Sequence, residues 1–433
     1  MSPAGKVLLA IALQCALLAP CPSLAADDPN PEATRQYAVA YGFQSKKLFA
    51  QAMPRWTEFL KTFPQDTRVP NAHYQLGVCQ LNEKKLPEAT ATFKLILATY
   101  PQFKHLDGAQ FNLGLTLFQT AQTSKLPNDF KAAAAEFANV PTKFAASPLA
   151  ADATYYQAES LYLAADKPNA IVAYQKVIAT YPAATVLPEA FYGLGTTQAD
   201  LDQHVEAVTT FTKLLQSFPQ SPLVPEAKLR LGTSLVAQKR HAEAEPHFVQ
   251  AAAVPNFPLA DVATLKQGQA LFDQNKFPEA AAVLDTVPTK FPKSEQIGPA
   301  FTATGKARFK AGQFPQAQTA LATVVTQKLP TAPEAAYWLG RTLIALKQPA
   351  TVVATVDPVI SANAQSEFIP ALQLVRIDSI YEIPERRKET IPLYSQFAAT
   401  FAAHELAPEA KYLGRSAPGS GRKISSSASR AAM

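Results

Sequence analysis

The stretch Ala190-Phe191-Tyr192-Gly193-Leu194-Gly195 is one copy of a theme that runs through the chain. Earlier copies are Ala72-His73-Tyr74-Gln75-Leu76-Gly77 and Ala109-Gln110-Phe111-Asn112-Leu113-Gly114. Later copies are Ala227-Lys228-Leu229-Arg230-Leu231-Gly232 and Ala335-Ala336-Tyr337-Trp338-Leu339-Gly340. The position of the final glycine is taken by Ala158 in the fourth unit, Gly268 in the seventh, Gly305 in the eighth and Asp378 in the tenth. Successive steps are therefore 37, 44, 37, 37, 36, 37, 35 and 38 residues. A self-similar period of this size marks a stack of supersecondary units, each too small to bury its own apolar face.

Working outward from the glycine, a small residue follows twelve positions later and a ring usually four beyond that. Ala89 and Phe93, Ala170 and Tyr174, Ala207 and Phe211, and Ala244 and Phe248 are examples, and Ala52 and Trp56 fit the first unit. A proline often closes the unit eight residues past the ring: Pro64, Pro101, Pro182, Pro219 and Pro292. Apolar residues spaced i, i+3, i+4 and i+7, such as Ala190, Leu194 and Thr197 around Gly195, predict a first amphipathic helix. The second helix opens with proline inside its first turn, as in Leu86-Pro87-Glu88-Ala89, Phe277-Pro278-Glu279-Ala280 and Phe314-Pro315-Gln316-Ala317. Proline there forfeits no hydrogen bond, and a carboxylate suits the helix dipole. Composition agrees: 36 prolines, 16 glycines and a hydrophobic fraction of 48% describe helices punctuated by proline rather than a sheet.

This pattern resembles the tetratricopeptide repeat: Leu-Gly on the first helix, Ala and then an aromatic on the second, and a closing Pro. The resemblance covers roughly residues 33–414. It implies an all-α, right-handed solenoid of tandem helical hairpins, about ten in number with the last truncated. The units exceed the usual period of about 34 by two or three residues, which lie in linkers such as Phe218-Pro219-Gln220-Ser221-Pro222-Leu223-Val224-Pro225. Such extended linkers are similar to those of bacterial envelope proteins of the BamD outer-membrane-assembly type and the Tol-Pal-associated CpoB type. Three departures stand out. The step from Gly114 to Ala158 is seven residues longer than the usual 37, through an extension at Ala121 to Asp129; the sixth unit lacks its closing proline; and Asp378 and Thr390 replace small residues in the tenth.

The ends read differently from the body. Lys6, the apolar run Val7 to Leu18, and Ser23-Leu24-Ala25 form a secretory leader expected to be cleaved before Ala26, leaving residues 26–32 as a short linker. A lipobox wants a small residue before Cys21, and Pro20 stands there, so ordinary cleavage is expected. After cleavage only Cys79 remains, and a buried structural role is expected for it. At the other end, Ala407-Pro408-Glu409-Ala410-Lys411-Tyr412-Leu413-Gly414 opens another first helix and then breaks off into Ser, Gly and Arg. Residues 415–433 carry Arg415, Arg422, Lys423, Arg430 and no acid, and they read as a disordered tail or a truncated or frame-shifted reading. The formal charge of +6 is concentrated in these ends; residues 26–414 keep about +1, which gives little support to binding a nucleic acid. No later segment has the roughly 18 apolar residues of a membrane span, so at most a peripheral membrane contact is expected.

No motif supplies a catalytic centre, cofactor site or metal site. His241 and His247 are six apart and fall on different faces of a helix; no phosphate loop, Cys-x-x-Cys or Gly-x-Ser-x-Gly occurs. Gly193 and Gly195 are read as packing glycines, and Glu243 and Glu245 as a solvated face. The one constellation with binding potential is a ring ladder three residues before each glycine: Tyr37, Tyr74, Phe111, Tyr155, Tyr192 and Tyr337, interrupted by Leu229, Leu265 and Thr302. In repeats of this type that position tends to face the concave groove, where it would take an extended or helical peptide. Packing between hairpins is the competing role for rings at helical spacing. The basic clamp used by some tetratricopeptide co-chaperones is not visible: Asn112 falls at a suitable place without its Lys and Arg partners. The expected function is a non-enzymatic scaffold holding other proteins or peptides in the bacterial periplasm or at the outer-membrane periphery. The alternative is a peptide- or polymer-binding receptor that assists cell-wall processing.

Overall fold

The computed structural model describes residues 30–414; the leader, most of the linker and the basic tail lie outside the described residues. Among the described residues every regular element is a helix. The chain divides into two compact units, residues 1–227 and 228–433. In the first, α1 (Pro31–Ser45) pairs with α2 (Phe49–Thr62), α3 (Val69–Asn82) with α4 (Leu86–Thr99), and α5 (Leu106–Ser124) with α6 (Pro127–Lys143). Two more pairs follow: α7 (Ala150–Leu163) with α8 (Lys167–Thr180), and α9 (Leu187–Ala199) with α10 (His204–Ser217). Helix α11 (Val224–Ala237) straddles the division.

The second unit continues with α12 (His241–Ala252), α13 (Ala260–Asp273), the broken pair of α14 (Phe277–Leu284) and α15 (Thr286–Lys290), α16 (Ile297–Lys310) and α17 (Phe314–Thr326). It ends with α18 (Ala332–Ala345), α19 (Pro349–Ala362), α20 (Ile369–Tyr381), a short 3-10 turn, α21 (Thr390–Thr400) and the single helix α22 (Ala407–Leu413). Within each unit a helix packs chiefly on its predecessor and successor.

The repeated glycine is the ninth residue of the first helices from α3 to α18, with Ala158 in its place on α7; the ring sixteen positions later faces it at Gly77, Gly114, Gly195 and Gly232, and a leucine does so at Gly268 and Gly305. At Gly195 an added Cβ would stand 2.8 Å from the Phe211 ring of the same hairpin; at Gly77 it would stand 2.8 Å from Phe93. Neither gap accommodates a methyl group, so glycine here allows the two helices to close. The companion small residues Ala89, Ala170, Ala207 and Ala244 are all wholly buried. Gly193 solves a second approach: its missing side chain leaves room for Tyr174 of the preceding hairpin, whose ring carbons would lie 2.5 Å from a Cβ.

Linkers between hairpins are built alike. In each, two tandem turns are closed by backbone bonds such as Asp66 N–H to Phe63, Ser147 N–H to Phe144 and Ser221 N–H to Phe218. The turn inside each of the first nine hairpins places one residue in the left-handed region, Gly312 at φ 75° in one case but Lys84, Ala165, Asp202 and Asn275 elsewhere. That turn had no sequence signal, because lysine and alanine there do not announce a positive φ.

Two expectations are corrected. Helix starts place Ile377, not Asp378, as the ninth residue of α20; one extra residue before α21 then restores Thr390 and Tyr394 to the seats of the small residue and the ring. Asp378 is thus the tenth residue, where its carboxyl accepts a 2.7 Å bond from the Tyr394 hydroxyl. Proline does not only start and stop helices either. Pro54, Pro141, Pro246 and Pro358 sit inside α2, α6, α12 and α19. They lie away from the packed face, where solvent can satisfy the carbonyl that each proline leaves without a donor.

Candidate functional site

The third, sixth and tenth residues of a first helix share one face, since i, i+3 and i+7 align on a 3.6-residue period. The ring ladder is the sixth position. Tyr37, Tyr74, Phe111, Tyr155 and Tyr192 are buried, at most 3% exposed, and only Tyr337 is half-buried. A binding role would leave Tyr74, Tyr155 and Tyr192 partly exposed; the buried rings take instead the competing role, packing between hairpins. Asn71 donates to the Tyr37 hydroxyl at 2.6 Å, Asn112 to that of Tyr74 at 3.2 Å, and the Tyr192 hydroxyl donates to Glu226. Asn112 is therefore occupied as an inter-repeat lock. Burial pushes the Tyr74 hydroxyl up to about 12, so it stays protonated.

What this face presents is decided by positions three and ten. In the first unit, position three carries Asp152 on α7 and Glu189 on α9, and position ten carries Glu159 on α7. All three are half-buried and none has an ion-pair partner among the described residues. Tyr174 donates to Glu159, yet burial still holds that carboxyl above its ordinary range. Burial likewise raises Asp152, and for Glu189 the nearby charge of Asp152 adds to the same effect. The Tyr155 hydroxyl, fully buried, lies against Glu159 without a well-formed hydrogen bond, and one Glu189 oxygen has none.

In the second unit the same face includes cations, and these are already engaged. Lys306, tenth residue of α16, bonds Glu334, third residue of α18, at 2.7 Å and lies over the rings of Trp338 and Phe272 at 5.7 and 6.0 Å. Arg341, tenth on α18, covers Phe309, Trp338 and Tyr337 at 5.1, 5.2 and 5.8 Å. Next along is Asp378. Burial pushes its carboxyl up to about 7; Glu409 and Glu382 add to the shift, and the Tyr394 hydroxyl and Arg341 oppose it.

Other candidates resolve simply. Cys79 is buried, its thiol directed at Gln44 and pushed up to about 12 by burial, so it is no nucleophile. His241 lies 3.4 Å from Asp273, and His247 is held below its ordinary range by burial. Among the described residues no group of three or more His, Cys, Asp or Glu is placed to hold a metal, and no helix is long and apolar enough to cross a membrane. The seven-residue extension lengthens α5 to 19 residues and opens a cleft of about 770 Å³ lined by Leu81, Leu86, Pro87, Leu115 and Gln119.

Comparisons with known proteins agree with the hairpin pattern. Tetratricopeptide-repeat models match residues 71–102, 229–295 and 302–351, and a model of the outer membrane lipoprotein YfiO matches residues 115–245. No curated protein sequence is significantly similar to the chain. Among solved structures, PilW, described as a widely conserved type IV pilus biogenesis factor, is 19% identical over 52% of this chain and 98% of its own, with a TM-score of 0.41. The C-terminal part of a repeat protein from Cytophaga hutchinsonii is 17% identical over 60% of this chain and 96% of its own, with a TM-score of 0.48. PilF of Pseudomonas aeruginosa is 14% identical over 52% of this chain and 96% of its own, with a TM-score of 0.40. Among the described residues the chain is thus an all-helical array of tetratricopeptide-type hairpins.

Proposed function

We propose that this chain is an exported, non-catalytic scaffold of the bacterial cell envelope, holding partner proteins in an outer-membrane assembly, envelope or division complex. The observation that carries this reading is the match of an outer membrane lipoprotein model to residues 115–245, inside an array of tetratricopeptide-type hairpins. The leader-like residues 1–25 support export. Repeat arrays of this kind offer extended faces rather than an enclosed reactive pocket, and the half-buried charged residues described above lie on such a face.

A pull-down from envelope extract with the chain as bait tests the proposal. Recovery of a stable protein complex supports it. Recovery of glycan or free peptide alone would replace the scaffold with a receptor that serves cell-wall processing. N-terminal sequencing of the exported form should begin near Ala26, and retention of Met1 would remove the export step.

A further inference from the structure

We infer that the first helices of the fourth and fifth hairpins form a docking face for an extended segment of a partner protein bearing arginine or lysine side chains. The inference rests on the scaffold reading and names the chemistry of one of its partners. Asp152 and Glu189 are the third residues of α7 and α9, 37 residues apart, and Glu159 lies on the same face of α7. A carboxylate in a first turn is favoured by the helix dipole, but that does not account for Glu159 in mid-helix or for the partial burial of the group. Half-buried carboxylates without a cation are costly, and here Asp152, Glu159 and Glu189 are left so among the described residues.

An independent observation points the same way. The Tyr155 hydroxyl is fully buried, is directed at Glu159 and lacks a well-formed hydrogen bond, so its oxygen stands beneath the acidic face as an acceptor for a guanidinium or ammonium N–H. One oxygen of Glu189 is also unsatisfied. The carboxylates are too dispersed to surround a metal ion. An extended chain matches them: packed helices lie about 8–10 Å apart, and a strand advances about 3.3 Å per residue. Cationic side chains at every third residue would therefore meet successive helices. Charge complementarity selects the occupant, because the second unit already neutralises this face with Lys306 and Arg341 while the first does not.

The test uses the full mature chain and a labelled peptide of serine and threonine with arginine at every third position, read by fluorescence anisotropy at low and high salt. The expected result is binding at least tenfold tighter than that of the same peptide with glutamine in place of arginine, weakened by salt. The D152N/E159Q/E189Q variant, with helicity checked by circular dichroism, should lose at least tenfold in affinity. Equal affinity for the two peptides, or unchanged affinity in the folded variant, would overturn the inference. If either outcome occurs while the wild-type chain still captures its protein complex from envelope extract, the scaffold reading stands and only the acidic docking face is lost. An affinity that rises when residues 415–433 are deleted would also overturn it, assigning the face to the chain's own basic tail.

Discussion

The first helices of the two units use one face in opposite ways. In the fourth to sixth hairpins, position three carries Asp152, Glu189 and Glu226 and position ten of α7 carries Glu159, with tyrosines donating to Glu159 and Glu226; in the eighth and ninth, Lys306 and Arg341 lie over aromatic rings and Lys306 is bonded to Glu334. The scaffold beneath is the same, with a glycine or small residue at position nine and a ring, Leu or Val opposite. The repeat therefore sets where a side chain stands, and the residue placed there sets whether the face is already neutralised or waits for a charge. Asp378 is a third solution, in which a buried carboxyl is held by the tyrosine in the ring seat.

The largest expected effect tests the part common to both units. Tyr155→Ala and Tyr192→Ala should each cost about 3–5 kcal/mol of stability, as buried ring deletions do, because both rings are buried between hairpins. Thermal or urea unfolding measures this; a loss below about 1 kcal/mol would mean the rings do not serve as core. Gly193→Ala comes next. Its methyl group would meet the fully buried Tyr174 ring at 2.5 Å, and overpacking of this kind costs about 1–3 kcal/mol. A neutral outcome would show that Tyr174 can withdraw.

Asp378 separates the two units by pH. Its carboxyl is held near 7 in the folded chain against an ordinary 3.8, so the folded form binds the proton more tightly. Its stabilising contribution is complete below about pH 4 and is lost as pH rises through about 7. Discounted for partial solvent contact, the expected change is about 1–2 kcal/mol. Hydrogen exchange in residues 369–400 should quicken across that range, and Asp378→Asn should flatten the dependence. A profile unchanged in the variant would show that another group titrates.

The smallest effects differ in sign and sharpen the contrast most directly. Glu334→Gln removes the partner of Lys306 and should destabilise by about 0.2–1 kcal/mol, the usual worth of a partly exposed ion pair. Asp152→Asn and Glu189→Gln remove charges that burial disfavours, and should stabilise at neutral pH, within about 1 kcal/mol. Melting temperatures of the single variants decide it. The same sign in both units would break the comparison.

Much of this fold is legible in the sequence because its contacts are periodic. The glycine, the small residue twelve later and the ring sixteen later predict a close helix pair, and Gly195, Ala207 and Phe211 meet as that spacing requires. The face that carries charge is legible too, since Tyr155 and Tyr192 lie on it. Periodicity alone does not tell which residue of a face is covered by the next hairpin. The ring at position six is large enough to reach beneath its neighbour, and the carboxylates of Asp152, Glu159 and Glu189 are left half-exposed above it. The break between α14 and α15 also needs local geometry. Pro288 leaves the carbonyl of Leu284 without its donor just where that leucine replaces the ring against Gly268.

By itself the sequence determined the helical class, the period and the small-residue contacts, because these follow from side-chain size at fixed spacing. Only the tertiary structure decided the register of Asp378 and the lack of counterions at Asp152, Glu159 and Glu189. Desolvation and pairing depend on what the neighbouring hairpin brings near, and those neighbours stand some 37 residues away in the chain.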